Sequence, residues 1–384
     1  MRRRELWIGC GLVALSVGCT SGPFDIPGGN DGGRVGGGGV AFGPPIAVNL
    51  PSVPAGGNAV DEIALADVNG DGKLDAIVTC TQGCSGYAVL AGNGNSAFTP
   101  TSAVGSFIGF GPVMADFSGD GKPDILLSAT GIDILTNNGT GSEFQDVHTA
   151  VSTVQSTGVL ASDVDGDGRP DSIISAGPDI IAFITGSGLV QKTALAAASV
   201  ITAADFDGDG RRDLAVLNAS QGQPSVAILQ GNGNGSFVVN PTQYPVAAQS
   251  VIAAGDLDSD GKPDLVVPGA ANGLQVLINT GGGTFRYAQT YPTGTQGGAG
   301  ALVLGDVDRD GRLDAFILDA NGKLLTVLVG RGDGTFDVPV IFAVETAPRI
   351  LPQAFALGDV DSDGRPDVVV ASGQQIFILR NQTP

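Results

Sequence analysis

One histidine, one tryptophan and four tyrosines in 384 residues narrow what this chain can do before any motif is considered. The lone His148 has no signature of a Ser or Cys triad around it, and a single imidazole is more often a surface or core residue than a catalyst. Trp7, the only Trp, falls in the first 18 residues. A sugar site built on stacked Trp is therefore disfavoured, although Tyr could serve. Basic residues are also scarce, 19 against 39 acids, for a net charge of −20 and a pI of about 4.1. No basic patch with interleaved aromatics exists, which excludes a nucleic-acid partner. The apolar stretch from Leu6 to Val17 is too short to span a bilayer comfortably.

What the chain does have is one sentence repeated. DVDGDGRPD, Asp163 to Asp171, recurs with small changes in seven copies that begin at Asp67, Asp116, Asp163, Asp205, Asp256, Asp306 and Asp359. Oxygen-bearing side chains stand at positions 1, 3, 5 and 9, and Gly is fixed at position 6. Alternate side chains of a tightly curled loop converge on one point, which suits a hard cation such as calcium. Gly supplies the turn that a residue with a Cβ would resist.

The candidate ligands follow copy by copy. The first loop offers Asp67, Asn69, Asp71 and Asp75, and the second Asp116, Ser118, Asp120 and Asp124. The third offers Asp163, Asp165, Asp167 and Asp171, and the fourth Asp205, Asp207, Asp209 and Asp213. Then come Asp256, Asp258, Asp260 and Asp264; Asp306, Asp308, Asp310 and Asp314; and Asp359, Asp361, Asp363 and Asp367. Position 7 is always basic: Lys73, Lys122, Arg169, Arg211, Lys262, Arg312 and Arg365. A cation cannot ligate a cation, so this position is expected to offer its backbone carbonyl and turn its charge into water. Ser118, neutral at position 3, makes the second loop the weakest.

A single DGDG is usually an Asp-Gly turn with solvated carboxylates. Seven crowded sets of acids are repulsive unless something neutralises them, which favours a metal. The loops hold 26 of the 39 acidic residues, so most of the chain's charge is local to them. They are not EF-hands, which need a bidentate Glu at position 12 and flanking helices. Position 12 is Val78, Ile174 and Val370 in the first, third and last copies. The flanks (IALA before; DAIV, DILL, DLVV and DVVV after) are short and β-branched, so they are strands.

Residues 1–18 pair a basic start (Arg2 to Arg4) with a short apolar core, as a signal peptide does. Leu15-Ser16-Val17-Gly18-Cys19 resembles the bacterial lipobox, with Cys19 as the lipidated residue, although the usual Leu three before the Cys is here Ser16. Export by another cleavage therefore stays open. Residues 19–39 are Gly-rich and read as a tether. The expected location is outside the cytoplasm, lipid-anchored to a bacterial membrane, or secreted if the lipobox is unused. An oxidising compartment would suit a disulfide between Cys80 and Cys84. Their spacing lacks the further Cys or His that zinc would require.

From residue 40 to 384 the chain is one array, with loop starts 49, 47, 42, 51, 50 and 53 residues apart. That period points to propeller blades, solenoids or arrays. Each period contains four strands, with a Gly-rich turn before a Phe between the third and fourth: GNGNSAF, NNGTGSEF, GNGNGSF, TGGGTF and GRGDGTF. The third copy, ITGSGLV, has lost the Phe and is expected to form a distorted blade. The last copy ends after its third strand, while GGGGVAFGPPIAV at the start supplies a turn, Phe42 and an outer strand. The N-terminus is thus expected to complete the final blade and close a ring, the arrangement that leaves no open edge.

Over Val40 to Asn381 these repeats resemble the FG-GAP/VCBS family, which includes the seven-bladed propeller of integrin alpha chains. The resemblance implies an all-β, seven-bladed propeller of four-stranded blades with up to seven Ca2+ ions in the loops between first and second strands. It implies a binding or adhesion scaffold rather than an enzyme. A calcium-dependent glycan-active lyase or hydrolase, or a lectin, is the alternative. The ligand, a protein or a glycan, is expected on the face opposite the calcium loops, where variable segments gather near Tyr291 and Arg349. Membrane contact is expected through the lipid anchor only.

Overall fold

The computed structural model describes residues 39–50, 62–80, 86–105, 110–128, 131–142, 144–149, 156–218, 224–247, 251–269, 273–294, 299–319, 324–344, 354–372 and 374–384. Every regular element in them is a strand, and the strands form seven four-stranded antiparallel sheets. The first strands of blades 1 to 7 are Glu62–Ala66, Phe110–Ala115, Gly158–Ser162, Ala198–Ala204, Ala253–Gly255, Ala299–Gly305 and Ala354–Gly358. Each second strand begins on the Asp at position 9 of an acidic loop, from Asp75–Cys80 in blade 1 to Asp367–Ser372 in blade 7. First strands of neighbouring blades touch in cyclic order, and the last touches the first. The molecule is a seven-bladed propeller.

Burial follows position in the blade. Second strands such as Asp124–Ser128 and Asp213–Asn218 are buried throughout, because other blades cover both of their faces. Such strands read as continuous apolar runs, which is why the sequence shows DILL and DLAV rather than alternation. Outer strands such as Leu189–Ala194 and Thr284–Pro292 are mostly exposed.

The ring closes as the two ends of the sequence suggest. Ile46–Asn49 pairs antiparallel with Gln375–Leu379, Ile46 opposite Ile378 and Asn49 opposite Gln375. Phe42 bridges to Asn381, and Gly43 donates its N–H to the Arg380 carbonyl at 2.8 Å. Residues more than 300 apart therefore share blade 7.

The Phe after each Gly-rich turn wedges against the preceding blade. Phe144 meets Tyr87 edge-on with ring centroids 5.8 Å apart, Phe285 meets Phe206 and Tyr244 at 5.6 Å, and Phe336 meets Tyr291 at 5.4 Å. Phe42 plays this part for blade 7 against Phe342 of blade 6, at 5.1 Å. Phe98 and Phe237 lie in the apolar clusters shared with blades 7 and 3. Blade 3, expected to be distorted, is a regular four-stranded sheet. Its third and fourth strands are joined by the tight turn Thr185–Gly188, closed by the Gly188 N–H on the Ile184 carbonyl at 2.9 Å. The shorter turn contributes to the 42-residue spacing to the next loop, together with the two-residue link (177–178) between the second and third strands and a fourth strand of only six residues.

Candidate metal-binding loops

All seven acidic segments curl the same way, and side-chain carboxylates hold the curl. The position 1 Asp caps it: Asp67 Oδ1 accepts the N–H of Gly70 at 2.7 Å, and its Oδ2 accepts that of Gly72 at 2.8 Å. Asp359 does the same with Asp363 and Gly364. The Gly at position 6 has φ between 82° and 89° in every loop, as its invariance within the chain suggests. Position 4 is also left-handed, which the sequence conceals. Gly occupies it in the first four loops, but Ser259, Arg309 and Ser362 are forced to φ 61° in the last three.

Position 9 has a second task. Asp171 Oδ2 accepts the N–H of Val164 at position 2, and its Oδ1 accepts that of Thr185 at the end of the third strand, at 3.0 and 2.8 Å. Asp213 ties Phe206 to Gly231, and Asp314 ties Val307 to Gly330, in the same manner. Buried backbone groups need partners, so this carboxylate fastens the loop to its blade whatever else it binds.

Five loops bring three carboxylates together, with one oxygen from each within 4.8 Å of the others. The trios are Asp163, Asp165 and Asp171; Asp205, Asp207 and Asp213; Asp256, Asp258 and Asp260; Asp306, Asp308 and Asp314; and Asp359, Asp361 and Asp367. Burial, with neighbouring carboxylates adding to it, pushes Asp171, Asp264 and Asp367 up to about 6 and Asp314 to about 7. Asp213 also reaches about 6 for the same reasons. Asp75 and Asp124 are raised as well, by burial first. Asp361 Oδ1 is buried with no hydrogen-bond partner. An all-oxygen, multiply negative donor set of this kind suits a hard divalent cation. The first two loops share the curl, but Asn69 and Ser118 replace the third carboxylate.

Position 7 departs from expectation. Its charge does not simply enter water but folds back on position 5 of the same loop. Lys73 lies 3.1 Å from Asp71, Lys122 2.7 Å from Asp120, Arg211 3.2 Å from Asp209 and Arg312 3.0 Å from Asp310. Lys262 and Arg365 pair likewise with Asp260 and Asp363. The two side chains emerge on the same side of the curl, and the hydrogen bond from the base lowers the pKa of Asp71, Asp120 and Asp260. Such exposed pairs add little stability. Arg169 behaves differently: its guanidinium lies over Gly119 of the second loop, where an added Cβ would stand 3.2 Å from Cζ.

Each loop also reaches the next blade through the carbonyl of position 2. Asn137 Nδ2 donates to Val68 at 2.8 Å, Asn279 Nδ2 to Phe206 at 2.9 Å and Asn381 Nδ2 to Val307 at 2.7 Å. Elsewhere a turn N–H does this work: Ser96 to Val360, Gly235 to Val164 and Gly334 to Leu257. The sequence holds a faint trace of it, since Asn or Gly recurs where the third strand ends.

The opposite face is mostly outside the described residues, Arg349 included. Tyr291, offered as a surface marker there, is buried against Phe336 and serves the junction between blades 5 and 6. His148 lies on the fourth strand of blade 2, in register with Asp133. Cys84, Cys19, the signal and nearly all of the tether lie outside the described residues.

An FG-GAP-like repeat model matches residues 67–127, 116–174, 205–267, 256–317 and 310–370, well over half of the chain. The chain belongs to the FG-GAP-like repeat family. The stretch this FG-GAP match leaves out between 174 and 205 includes the shortened turn of blade 3. No curated protein matches. Among solved structures, an Agrocybe aegerita lectin described as recognising non-reducing terminal N-acetylglucosamine superposes with a TM-score of 0.52. It is 19% identical over 77% of this chain and 86% of its own. The BBS1N domain, solved in complex with ARL6DN, gives 0.60 at 10% identity over 88% of this chain and 95% of that one. The Neurospora crassa Pan2 WD40 domain gives 0.54 at 11% identity over 88% and 94%. At these identities the likeness is one of fold.

Proposed function

We propose that this FG-GAP propeller is a calcium-stabilised binding scaffold that works outside the cytoplasm. The observation that carries the calcium reading is the convergence of Asp carboxylates in five loops, from positions 1, 3 and 9 in four of them and from 1, 3 and 5 in the loop at Asp256, with the position 9 acids pushed well above their ordinary pKa. In each loop the position 1, 3, 5 and 9 side chains and the position 7 carbonyl would hold the ion. Calcium supplies charge neutralisation here, and no step of a reaction is assigned to it. At a free concentration tenfold above the dissociation constant each ion adds about 1.4 kcal/mol. Equilibrium dialysis should recover several calcium ions per chain, and recovery of none ends this reading.

The scaffold role rests on repeated, standardised blades with no constellation beyond the loops that resembles a catalytic centre in the sequence. Export and anchoring rest on the signal-like residues 1–18, Cys19 and the Gly-rich stretch to residue 39. Labelling with a radioactive fatty acid, lost in Cys19→Ala, tests the anchor. A lectin among proteins of this fold makes glycans the first ligands to try. Retention on a glycan array without turnover would favour a lectin-like role, and turnover would favour the enzyme alternative.

A further inference from the structure

Six blade junctions are closed on the loop side by the same two devices. A donor from one blade caps the position 2 carbonyl of the blade before it, at Val68, Val164, Phe206, Leu257, Val307 and Val360. A Phe beside that donor packs into the apolar cluster between the blades. The junction between blades 2 and 3 has neither. Blade 3 turns at Thr185–Gly188, too short to reach across, and Leu189 and Val190 take the wedge's place in sequence while remaining 50% and 36% exposed. Among the described residues no blade 3 donor meets the Phe117 carbonyl.

The second loop has adjusted accordingly. The Phe117 N–H bonds to the Ala115 carbonyl at 3.1 Å, and Ser118 rather than position 2 donates to Asp124 Oδ2, at 2.8 Å. In place of a latch the exposed Arg169 side chain rests on Gly119. Beneath the rim, Val113, Phe117 and Leu126 still pack with Val159, Ile174 and Ile181. The defect is therefore confined to the loop side.

We infer that the ring parts first between blades 2 and 3, and not at the closure where the two chain ends meet. The closure has a full complement of contacts: a ladder from Ile46 to Asn49, the bridge between Phe42 and Asn381, and the Gly43 and Gln382 N–H groups on the Arg380 and Ala41 carbonyls. Parting at the seam exposes the apolar cluster between blades 2 and 3 and leaves the other six junctions shut. This holds whether or not the loops carry calcium, so it stands apart from the proposed function.

Hydrogen–deuterium exchange of the full chain, in calcium and after its removal, tests the inference. Peptides spanning 113–121 and 184–190 should exchange at least fivefold faster than their counterparts 160–168 and 229–237 at the next junction. Equal rates, or fastest exchange in 46–49 and 375–379, would overturn it. Replacing Thr185–Gly188 with the blade 4 turn, residues 231–236, should bring exchange at the seam down to that of the other junctions. A grafted protein that folds yet exchanges at the original rate would also overturn it.

Discussion

Asn381 reaches out of blade 7 to donate a hydrogen bond from Nδ2 to the carbonyl of Val307 in blade 6, at 2.7 Å and 74 residues away. Val307 is the second residue of the sixth acidic loop, and its own N–H is held by Asp314. Both groups are buried, so removing the donor leaves an unpaired carbonyl. Asn381→Ala should cost about 1–3 kcal/mol. The loss should appear as a lower urea midpoint with an unchanged slope. Asn49→Ala, which removes an exposed amide contact with Gln375 in the same blade, should change the midpoint by less than about 0.5 kcal/mol.

If the loops take calcium as proposed, stability should depend on pH in opposite senses with and without the ion. Asp171, Asp213, Asp264 and Asp367 titrate near 6 and Asp314 near 7 in the folded chain, all above the ordinary 3.8. The calcium-stripped fold therefore binds more protons than the unfolded chain between about pH 4 and 7. Its stability is greatest at the acid end of that window and falls as pH rises through 6 to 7. Bound calcium would reverse the slope, because protons compete with the ion for the same oxygens. Thermal melts from pH 4.5 to 7.5 should show stripped protein losing Tm with rising pH and loaded protein gaining it. Parallel curves would remove calcium from the account.

Much of this arrangement is legible in the sequence because repetition averages out local ambiguity. The β-branched runs behind Asp75 or Asp264 are too short to be helices, and the incomplete last copy asks for the strand at Ile46–Asn49. Two kinds of fact stay hidden. Contacts between blades join residues that no local pattern relates, so Asn381 and Val307, or Tyr291 and Phe336, give no signal of their partnership. Backbone conformation at position 4 is masked because Ser259 and Arg309 tolerate φ 61° where Gly70 needs no tolerance. The basic residue at position 7 misleads for a simpler reason: an unneutralised carboxylate two residues away competes with water for it.

Ser118 makes the second loop a direct test of the carboxylate count. Its side chain touches Asp116 only weakly, at 3.4 Å, and stands where five other loops have Asp. Ser118→Asp adds a fourth acid to Asp116, Asp120 and Asp124. Without calcium the added repulsion should lower Tm. With calcium, affinity follows ligand charge, and a tenfold tighter site adds about 1.4 kcal/mol at saturating ion. The variant should therefore be less stable than wild type after chelation and more stable in millimolar calcium. A variant destabilised equally in both conditions would mean that this loop does not take the ion.

Ala197 sits at φ 57° and is exposed, in the link between blades 3 and 4, and Ser259 sits at φ 61° on the surface of the fifth loop. A Cβ in the left-handed region costs roughly 1–2 kcal/mol, while Gly loses about 0.5–1 kcal/mol more conformational entropy on folding. The difference favours Gly at both places. Ala197→Gly should raise stability by about 0.5–1 kcal/mol whether calcium is present or absent, because it lies away from the acidic loops. Ser259→Gly should give a similar gain in stripped protein and preserve the calcium increment, since Ser259 supplies no proposed ligand. The pair separates backbone strain from ion binding: urea midpoints that rise for Ala197→Gly but fall in calcium for Ser259→Gly would show that the strained residue itself helps to shape the site.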